Sequence, residues 1–434
     1  MNTKKQNNIL AIIVMIFLFG MISFVTNLAS PMGDILKNQF GVPNWMGTLG
    51  VFANFIAYAV MGYPSGNLLQ KLGYKKTALI AITVGFIGVG IQTLSGAFGS
   101  FGVYLLGAFI AGFSMCLLNT VVNPMLNKLG GGGNKGNQLI QIGGSFNSLC
   151  GTAVIILTGI LIPEITKAQI SHVFPLMYAA LGIFAFAFLV IVFTAIPENE
   201  RQLQTVSEKS KYSPLSFLHF ILGAIGIFVY VGVEVGIPNV LNKWLQNPDL
   251  DVLQLHGTGN AQAIAASVAA TYWFLMLIGR LIGAAIGSKV SAKTMLCVAS
   301  SIGIALTIAA IFVPVSVMVN LPVFKNSSEG LFGLTNVPVS AALFVLIGLC
   351  TSVMWGGIFN LAVEGLGKYT EKASGIFMVM VCGGGILPLL QNGIVDITGG
   401  TGFLVSYWVI VAGLAYLLYY GLVGYKNVNK GIPV

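Results

Sequence analysis

The sequence predicts an all-α membrane protein with twelve transmembrane helices, and three observations lead to this prediction. Of its 434 residues, 56% are hydrophobic and only 8% are charged. Soluble domains carry about 25% charged residues, so these charges cannot cover a soluble globule of this size. The mean hydropathy is +0.89, and apolar stretches of about 20 residues, the length that crosses a bilayer, recur along the chain. The composition excludes a soluble enzyme, a nucleic-acid-binding protein and a disordered chain.

Polar, glycine-containing or proline-containing breaks separate the apolar stretches. The most polar internal segment, 197–212, divides six predicted helices from six others. We therefore predict a first six-helix bundle at 1–195, a cytoplasmic linker at 196–214 and a second six-helix bundle at 215–434. The stretch 319–338 is predicted to be a second loop. The predicted spans lie near residues 9–31, 46–70, 77–97, 101–127, 138–162, 172–195, 216–246, 260–288, 293–318, 339–366, 371–398 and 402–425.

The lysine and arginine residues predict the orientation in the membrane. With the N-terminus inside, all but four of the 21 basic residues fall on cytoplasmic segments, Arg280 among them. The four on the outer side are Lys37, Lys167, Lys243 and Lys325. Because cytoplasmic loops are enriched in Lys and Arg, we predict a multi-pass protein with both termini in the cytoplasm. The net charge of +9 then reflects orientation, and the expected partner is the lipid bilayer rather than a nucleic acid.

Three short patterns recur in the two halves of the chain. Segments 123–130 and 360–367 share the pattern N-x3-[N/E]-x-L-G. Asn27 precedes a proline by four residues in the first span, and Glu234 does so in the seventh. A Lys-Thr-x-Leu sequence follows both the second and the eighth span. Together these matches indicate a parallel duplication, six helices plus six, with a central cavity between the halves.

Polar side chains within the spans are the candidate ligand-binding residues, because they are costly in lipid and are expected to face the bundle interior. Amides pair with hydroxyl groups and aromatic faces stack on sugar C–H faces, which favours a neutral polyhydroxylated ligand. A strongly anionic substrate would require a basic residue within a span, and the sequence suggests none. The alternatives are helix–helix hydrogen bonds and, for tryptophan, anchoring at the membrane interface. The candidates are Asn27, Asn119, Asn123, Asn147, Trp273, Trp355, Asn360 and Gln391.

Glu234 is the one carboxylate that we predict well inside a span, with no charged residue at the same depth to pair with it. Such a group is expected to bind and release H⁺, or to bind Na⁺. A structural hydrogen-bonding role near the outer end of the helix is the alternative. Asp34 is the second candidate ion-coupling residue, although a carboxylate near a helix end also suits capping or loop contacts.

Residue patterns of catalysis and metal binding are absent from the sequence. It contains no HExxH, no Ser-His-Asp arrangement and no His/Cys cluster, so we predict neither an enzyme nor a bound metal or cofactor. The five cysteines all lie in apolar segments without a CxxC spacing. We interpret them as small buried hydrophobic residues.

Several motifs resemble those of one transporter family. Segment 66–76 is similar to the loop between the second and third helices of major facilitator proteins, with Gln70 at the usual aspartate position. The L-fucose permease and glucose/galactose transporter family has motifs that resemble NTVVNP at 119–124, SFNSL at 145–149 and GGGI at 383–386. The resemblance covers essentially the whole chain. It implies the major facilitator fold, with two six-helix bundles, and sugar transport by alternating access.

Two acidic residues expected from this resemblance are missing. Proton-coupled members of the family carry a coupling aspartate in the first helix and a glutamate in the fourth. In this chain they correspond to Ser30 and Asn119, which do not titrate usefully. The resemblance therefore leaves three possibilities: proton coupling through Asp34 or Glu234, coupling to Na⁺, and facilitated diffusion without coupling.

We predict a secondary active transporter of a bacterial inner membrane that imports a neutral monosaccharide or amino sugar. H⁺ or Na⁺ is the expected coupling ion, with no other cofactor, and we expect a monomer. A sugar uniporter and an efflux transporter of other small molecules are the alternatives within transport, and efflux would predict a mostly apolar cavity. A sugar-sensing receptor and a channel are alternatives of other classes.

Overall fold

The computed structural model shows a chain made almost entirely of helices. It has fourteen α-helices within the residues that it describes, and six of them each match one predicted span to within six residues at both ends. The structure describes residues 2–40, 49–161, 169–198, 212–255, 261–327, 330–429 and 431–433.

The helices are numbered here in chain order. Between α8 and α9 lies a hairpin of two strands, β1 and β2. The helices are α1 (Asn2–Phe40), α2 (Leu49–Phe98), α3 (Phe101–Leu129), α4 (Gly133–Leu161), α5 (Phe174–Phe193), α6 (Leu218–Leu245), α7 (Ala261–Ile286), α8 (Ala292–Phe312), α9 (Val339–Thr351), α10 (Met354–Val363), α11 (Thr370–Met380), α12 (Gly383–Thr398), α13 (Gly402–Ser406) and α14 (Trp408–Tyr419).

The second and third predicted spans form one continuous element, α2. Its backbone changes direction at Gly73, where φ is 79° and ψ is 178°. This conformation is open to glycine because it has no Cβ to clash. The carboxylate of Glu198 accepts hydrogen bonds from the next two backbone N–H groups, those of Tyr74 at 2.9 Å and Lys75 at 2.7 Å. These two bonds replace the backbone hydrogen bonds that the break in the helix removes. They therefore stabilise the bend.

The tenth and eleventh predicted spans are each broken into two helices. The first break separates α9 from α10, where the Ser352 hydroxyl bonds to the Leu349 carbonyl oxygen at 2.6 Å. The second separates α11 from α12 and precedes three consecutive glycines at 383–385. There the backbone of Gly383 touches that of Phe228 so closely that a Cβ would overlap the carbonyl group. Broken helices are tolerated in membranes where the irregular backbone is enclosed by protein.

The predicted loop at 319–338 is a β-hairpin instead. Strand β1 (Met318–Ser327) pairs antiparallel with β2 (Gly330–Pro338), with Val319 opposite Val337 and Phe324 opposite Phe332. Val323 and Val337 are fully buried, and the Phe332 ring packs on that of Phe274 in α7, with 5.0 Å between centroids. The hairpin also explains why α8 ends at Phe312, before the predicted end at 318.

The outer surface of the helices is apolar. Large hydrophobic side chains stand exposed along them, including Phe98, Phe193 and Leu389. Within the described residues, ten helical stretches are long and apolar enough to cross a membrane, and one of them, Phe52–Phe98, contains two predicted spans. Apolar surface of this extent requires a lipid environment.

Backbone contacts divide the chain into two units. The first unit contains residues 1–221, 363–382 and 427–434, and the second contains 222–362 and 383–426. Helix α11 therefore belongs with the first unit by its contacts. The prediction of two bundles, 1–195 and 215–434, stays a prediction, and most of the linker at 196–214 falls outside the described residues.

Glycines allow very close contact between α2 and α11 in the first unit. A Cβ at Gly62 would lie 2.5 Å from the backbone nitrogen of Val379, and one at Gly375 would lie 2.5 Å from that of Gly66. Gly62 and Gly66 form a GxxxG pattern, which lets two helix backbones approach each other. Side chains at these positions would force the helices apart.

We predict that Gly62→Ala lowers the thermal stability of the purified protein, because the added methyl group meets backbone atoms that cannot move aside. Overpacking of this kind costs about 1–3 kcal/mol, which corresponds to a fall of several degrees in Tm. Gly182→Ala is the matched control, since no atom lies within 4 Å of its Cβ position. The Tm of both variants would be measured by thermal denaturation in detergent. Equal Tm values for the two variants would contradict the close contact.

Candidate transport site

Two of the predicted asparagines, Asn27 and Asn147, lie along the contact between α1 and α4. The amide of Asn27, on α1, donates to the carbonyl oxygen of Ser23 at 2.8 Å and to its hydroxyl at 3.0 Å. The amide of Asn147, on α4, donates to the carbonyl oxygen of Phe19 at 2.7 Å, which ties the two helices together. Gly151 faces the Ser23–Asn27 pair without a side chain, so the helices meet closely here.

The other two asparagines of the first unit follow each other on α3, as their four-residue spacing predicts. Asn119 donates to the Tyr58 hydroxyl at 2.7 Å and to the carbonyl oxygen of Met115 at 3.2 Å. Asn123 is fully buried and donates to the carbonyl oxygen of Asn119 at 2.9 Å. Tyr58 is a polar partner that the sequence analysis did not identify. Its hydroxyl occupies an amide N–H that a ligand would otherwise take.

In the second unit, Glu234 forms an ion pair with Arg280. The distance from Arg280 Nη2 to Glu234 Oε1 is 3.3 Å, and each side chain is 14% exposed. The expectation that Glu234 has no charged partner is therefore wrong, and so is the assignment of Arg280 to a cytoplasmic segment. Arg280 lies inside the span Ala263–Ile286, six residues before the end of α7, and its long side chain reaches α6.

A signal for this pair was present in the sequence. Six apolar residues, 281–286, follow Arg280 within α7, whereas an arginine at a membrane boundary would lie nearer the helix end. The expectation that no basic residue lies within a span is also wrong. Since the negative charge of Glu234 balances the positive charge of Arg280, the pair as a whole is neutral.

Aromatic residues surround the ion pair. The Tyr230 hydroxyl is fully buried beside Glu234, one helical turn away, and its ring lies 6.2 Å from the Trp355 ring between centroids. Tyr272 shares a hydrogen bond of 2.9 Å with the Thr351 hydroxyl. Trp273 packs edge-on against Tyr272 and keeps 37% of its side chain exposed. Both predicted tryptophans therefore pack next to tyrosines that flank Glu234.

Gln391 differs from the other predicted amides. It is fully buried on α12, and neither Nε2 nor Oε1 of its side chain has a hydrogen-bond partner within the described part of the chain. Its oxygen touches Gly236 on α6, where no side chain intervenes. Asn360, on α10, is also buried and does have an interaction partner. A buried amide without a partner costs about 1–3 kcal/mol, which the protein would recover if a polar ligand bound there.

Asp34, the second predicted ion-coupling residue, belongs to α1. Its side chain is outside the described part of the structure, so its ion-coupling role stays a prediction. Among the described residues, no group of three or more His, Cys, Asp or Glu side chains could hold a metal ion.

The helices, their lipid-exposed apolar surface and the internal polar groups define an integral membrane transport protein. The model of the Major Facilitator Superfamily matches residues 10–389, so the chain belongs to that superfamily. It is a multi-pass membrane transporter rather than an enzyme.

Known proteins are similar to this chain over nearly its full length. A glucose/galactose transporter of Brucella abortus is 28% identical over 434 residues, which cover 98% of this chain and 97% of that protein. An L-fucose-proton symporter of Escherichia coli is 21% identical over 405 residues, with 87% of this chain and 85% of that protein covered.

A solved structure has the same fold. The crystal structure of FucP, a Major Facilitator Superfamily transporter, matches with a TM-score of 0.79 at 18% identity, and the match covers 97% of this chain and all of that one. The predicted major facilitator fold, with its twelve helices, is confirmed.

We predict that Glu234 and Arg280 are energetically coupled. Glu234→Gln alone and Arg280→Gln alone should each lower the Tm, because each leaves a charge without its partner in a poorly hydrated site. The double variant should recover most of the loss, since it leaves no net charge. A double-mutant cycle on Tm or on urea midpoints measures the coupling. Purely additive losses would show that the two side chains do not act as a pair.

Proposed function

We propose that this protein is a secondary active transporter that imports a neutral monosaccharide or amino sugar by alternating access, driven by a cation gradient. The observation that carries the proposal is the buried amide of Gln391, which has no hydrogen-bond partner among the described residues. A sugar hydroxyl can both donate to Oε1 and accept from Nε2. Water would satisfy the same atoms, but it would not explain the aromatic residues of the second unit.

The composition of the second unit supports a neutral ligand. Glu234 and Arg280 neutralise each other at 3.3 Å, so neither an anion nor a cation has an unmatched charge to bind there. Trp273 and Trp355 offer aromatic surface of the kind that packs on the C–H face of a sugar ring. The full-length similarity to a protein named as a glucose/galactose transporter supports a hexose as substrate.

The proposed substrate-binding residues are those predicted from the sequence. They differ in the hydrogen-bonding atoms that they offer to a sugar. Asn27, Asn119, Asn123 and Asn147 already donate to acceptors within the first unit. We assign these four amides to sugar hydroxyl groups, which would exchange with the present hydrogen bonds. Gln391 offers both a donor and an acceptor, and Asn360 lies on the same helix as Trp355.

Coupling is assigned to Glu234, with Asp34 as the second candidate. A cation that binds Glu234 must compete with Arg280, which links ion binding to the breaking of the pair. Either H⁺ or Na⁺ can do this. The same ion pair favours a second candidate function, a sugar uniporter, in which Glu234 and Arg280 stay paired throughout the transport cycle.

The cellular location and the oligomeric state are proposed from the sequence. The excess of lysine and arginine on one set of helix ends supports a bacterial inner-membrane protein with both termini in the cytoplasm. We propose a monomer as the transporting unit, because each chain carries its own candidate site.

Uptake into proteoliposomes tests the function directly. We expect the purified protein to accumulate one of a panel of labelled hexoses, deoxyhexoses or amino sugars when a gradient of H⁺ or Na⁺ is imposed separately. Glu234→Gln should abolish this accumulation but leave counterflow exchange of the sugar intact, because exchange needs no net cation movement. Uptake of no sugar under either gradient would overturn the proposal. Unchanged accumulation by Glu234→Gln would assign that residue a structural role.

Gln391→Leu separates a ligand-binding role from a structural one. Removing an unpartnered buried amide should leave the Tm of the ligand-free protein unchanged or raise it, while the KM for sugar exchange rises by tenfold or more, about 1.4 kcal/mol. Asn392→Leu is the matched control: its amide bonds to the Pro388 carbonyl oxygen at 2.6 Å, and the KM should stay close to the wild-type value. A lower Tm with an unchanged KM for Gln391→Leu would contradict the assignment.

A further inference from the structure

A second carboxylate inside the protein belongs neither to the proposed substrate-binding residues nor to the proposed ion-coupling residues. Glu371 lies in the first turn of α11, in the first unit, and is only 5% exposed. The Tyr74 hydroxyl donates to the Oε1 atom of Glu371 at 3.2 Å, whereas the buried Oε2 atom has no hydrogen-bond partner among the residues that the structure describes. Position 371 is the first residue of a predicted span, at 371–398.

Glu371 sits where α11 contacts α2 and α3, an interface that we call the Glu371 seam. It consists of Gly62 and Gly66 on α2, Thr120 on α3, and Ser374 and Gly375 on α11. The glycines put the backbones of α2 and α11 in direct contact. The Ser374 hydroxyl donates to the carbonyl oxygen of Thr120 at 3.0 Å. That oxygen is available because Pro124, four residues further along α3, has no N–H to donate.

The charged groups that face Glu371 come from three directions. Lys128, on α3, places its ammonium nitrogen 5.6 Å from the centre of the Tyr74 ring. Glu198 accepts from the backbone N–H of Tyr74 at 2.9 Å and so adds a negative charge on the far side of the tyrosine. Lys372 follows Glu371 on its own helix. Tyr74 is thus held between two carboxylates, and its position depends on both.

The state of the Glu371 carboxyl group follows from this geometry. An ionised carboxylate with one oxygen lacking any donor is costly in a buried site. A protonated carboxyl group carries no charge to bury. Opening of the seam would admit water, which solvates the ionised form.

We infer that Glu371 is a proton-linked latch: it carries a proton while the Glu371 seam is closed and releases that proton to entering water when the seam opens. The O–H bond of the carboxyl group breaks, and water accepts the proton. This inference rests on the alternating-access part of the proposed function, since an interface between helices must open for access to change sides. It assigns to Glu371 a protonation step separate from that of Glu234.

The sign of the pH dependence follows from the protons bound. The closed seam holds one proton more than the open seam, so low pH favours closure and high pH favours opening. For a single proton, the ratio of open to closed seam should rise about tenfold per pH unit above the midpoint.

Distance measurements between spin labels test this latch. Lys71 and Lys368 are exposed on the two sides of the seam. Nitroxide labels on cysteines at these positions, in a background without the five native cysteines and in lipid nanodiscs, report their separation by pulsed electron resonance between about pH 5 and pH 9. We expect the longer distance to gain population as the pH rises. Glu371→Gln should remain at the shorter distance at every pH, because it cannot ionise.

Glu364→Gln is the matched control, a carboxylate exposed on the same segment, and it should keep the wild-type pH response. An unchanged response in Glu371→Gln, or no response in the wild-type protein, would overturn the inference. If Glu371→Gln does not fold, Glu371→Asp decides: a shifted midpoint supports the latch and an unshifted one contradicts it. No sugar or ion gradient is present in these samples. A negative result therefore leaves the proposed sugar import intact, and failed uptake leaves the latch measurement interpretable.

Discussion

The absence of water inside a bilayer forces each polar group of this chain to find a partner within the chain, and the rest of the structure depends on that constraint. Hydroxyl side chains repeatedly bond to the carbonyl oxygen one helical turn earlier. Asn27 and Asn123 use the same solution with their amides. Examples among the threonines are Thr26 to Ile22, Thr83 to Leu79, Thr93 to Val89 and Thr158 to Val154. Such local bonds let polar residues occupy spans without fixing which helices are neighbours.

Side-chain bonds between helices are fewer among the described residues, and three of them involve residues of the proposed site. Asn147 ties α4 to α1, Asn119 contacts Tyr58 on α2, and the Glu234–Arg280 pair joins α6 to α7. Each of these contacts can be exchanged for a bond to a ligand or an ion at modest cost, since both partners are polar. A transporter needs such exchangeable contacts, because its helices have to rearrange in every cycle.

Two of the buried groups that lack a hydrogen-bond partner among the described residues carry the functional proposals. Gln391 lacks a partner for both polar atoms of its amide, and Glu371 lacks one for Oε2. A helical membrane protein retains such groups at a cost in stability. The cost is offset for Gln391 if a sugar binds in the second unit, and for Glu371 if a proton neutralises it in the first. Stability and transport thus make opposite demands on the same residues.

Much of this arrangement follows from the sequence by simple physical rules. Hydropathy predicts the spans, and a spacing of four residues predicts that Asn119 and Asn123 share one face of a helix. Each of these features depends only on residues that are close together in the sequence. The pairing of Glu234 with Arg280 and the burial of Glu371 depend on contacts between different helices, which a local pattern does not encode, although the apolar residues after Arg280 indicate its depth in the span. The hairpin at 318–338 escaped prediction since Pro322 within β1 argues against a strand.

Equilibrium binding of labelled sugars to the purified protein tests the central claim most directly, namely that the internal polar groups form a site for a neutral sugar. Our account predicts saturable binding of one neutral hexose, deoxyhexose or amino sugar per chain, which the unlabelled sugar displaces and the corresponding sugar phosphate does not. Absence of saturable binding for every neutral sugar, or tighter binding of the phosphorylated form, would contradict it.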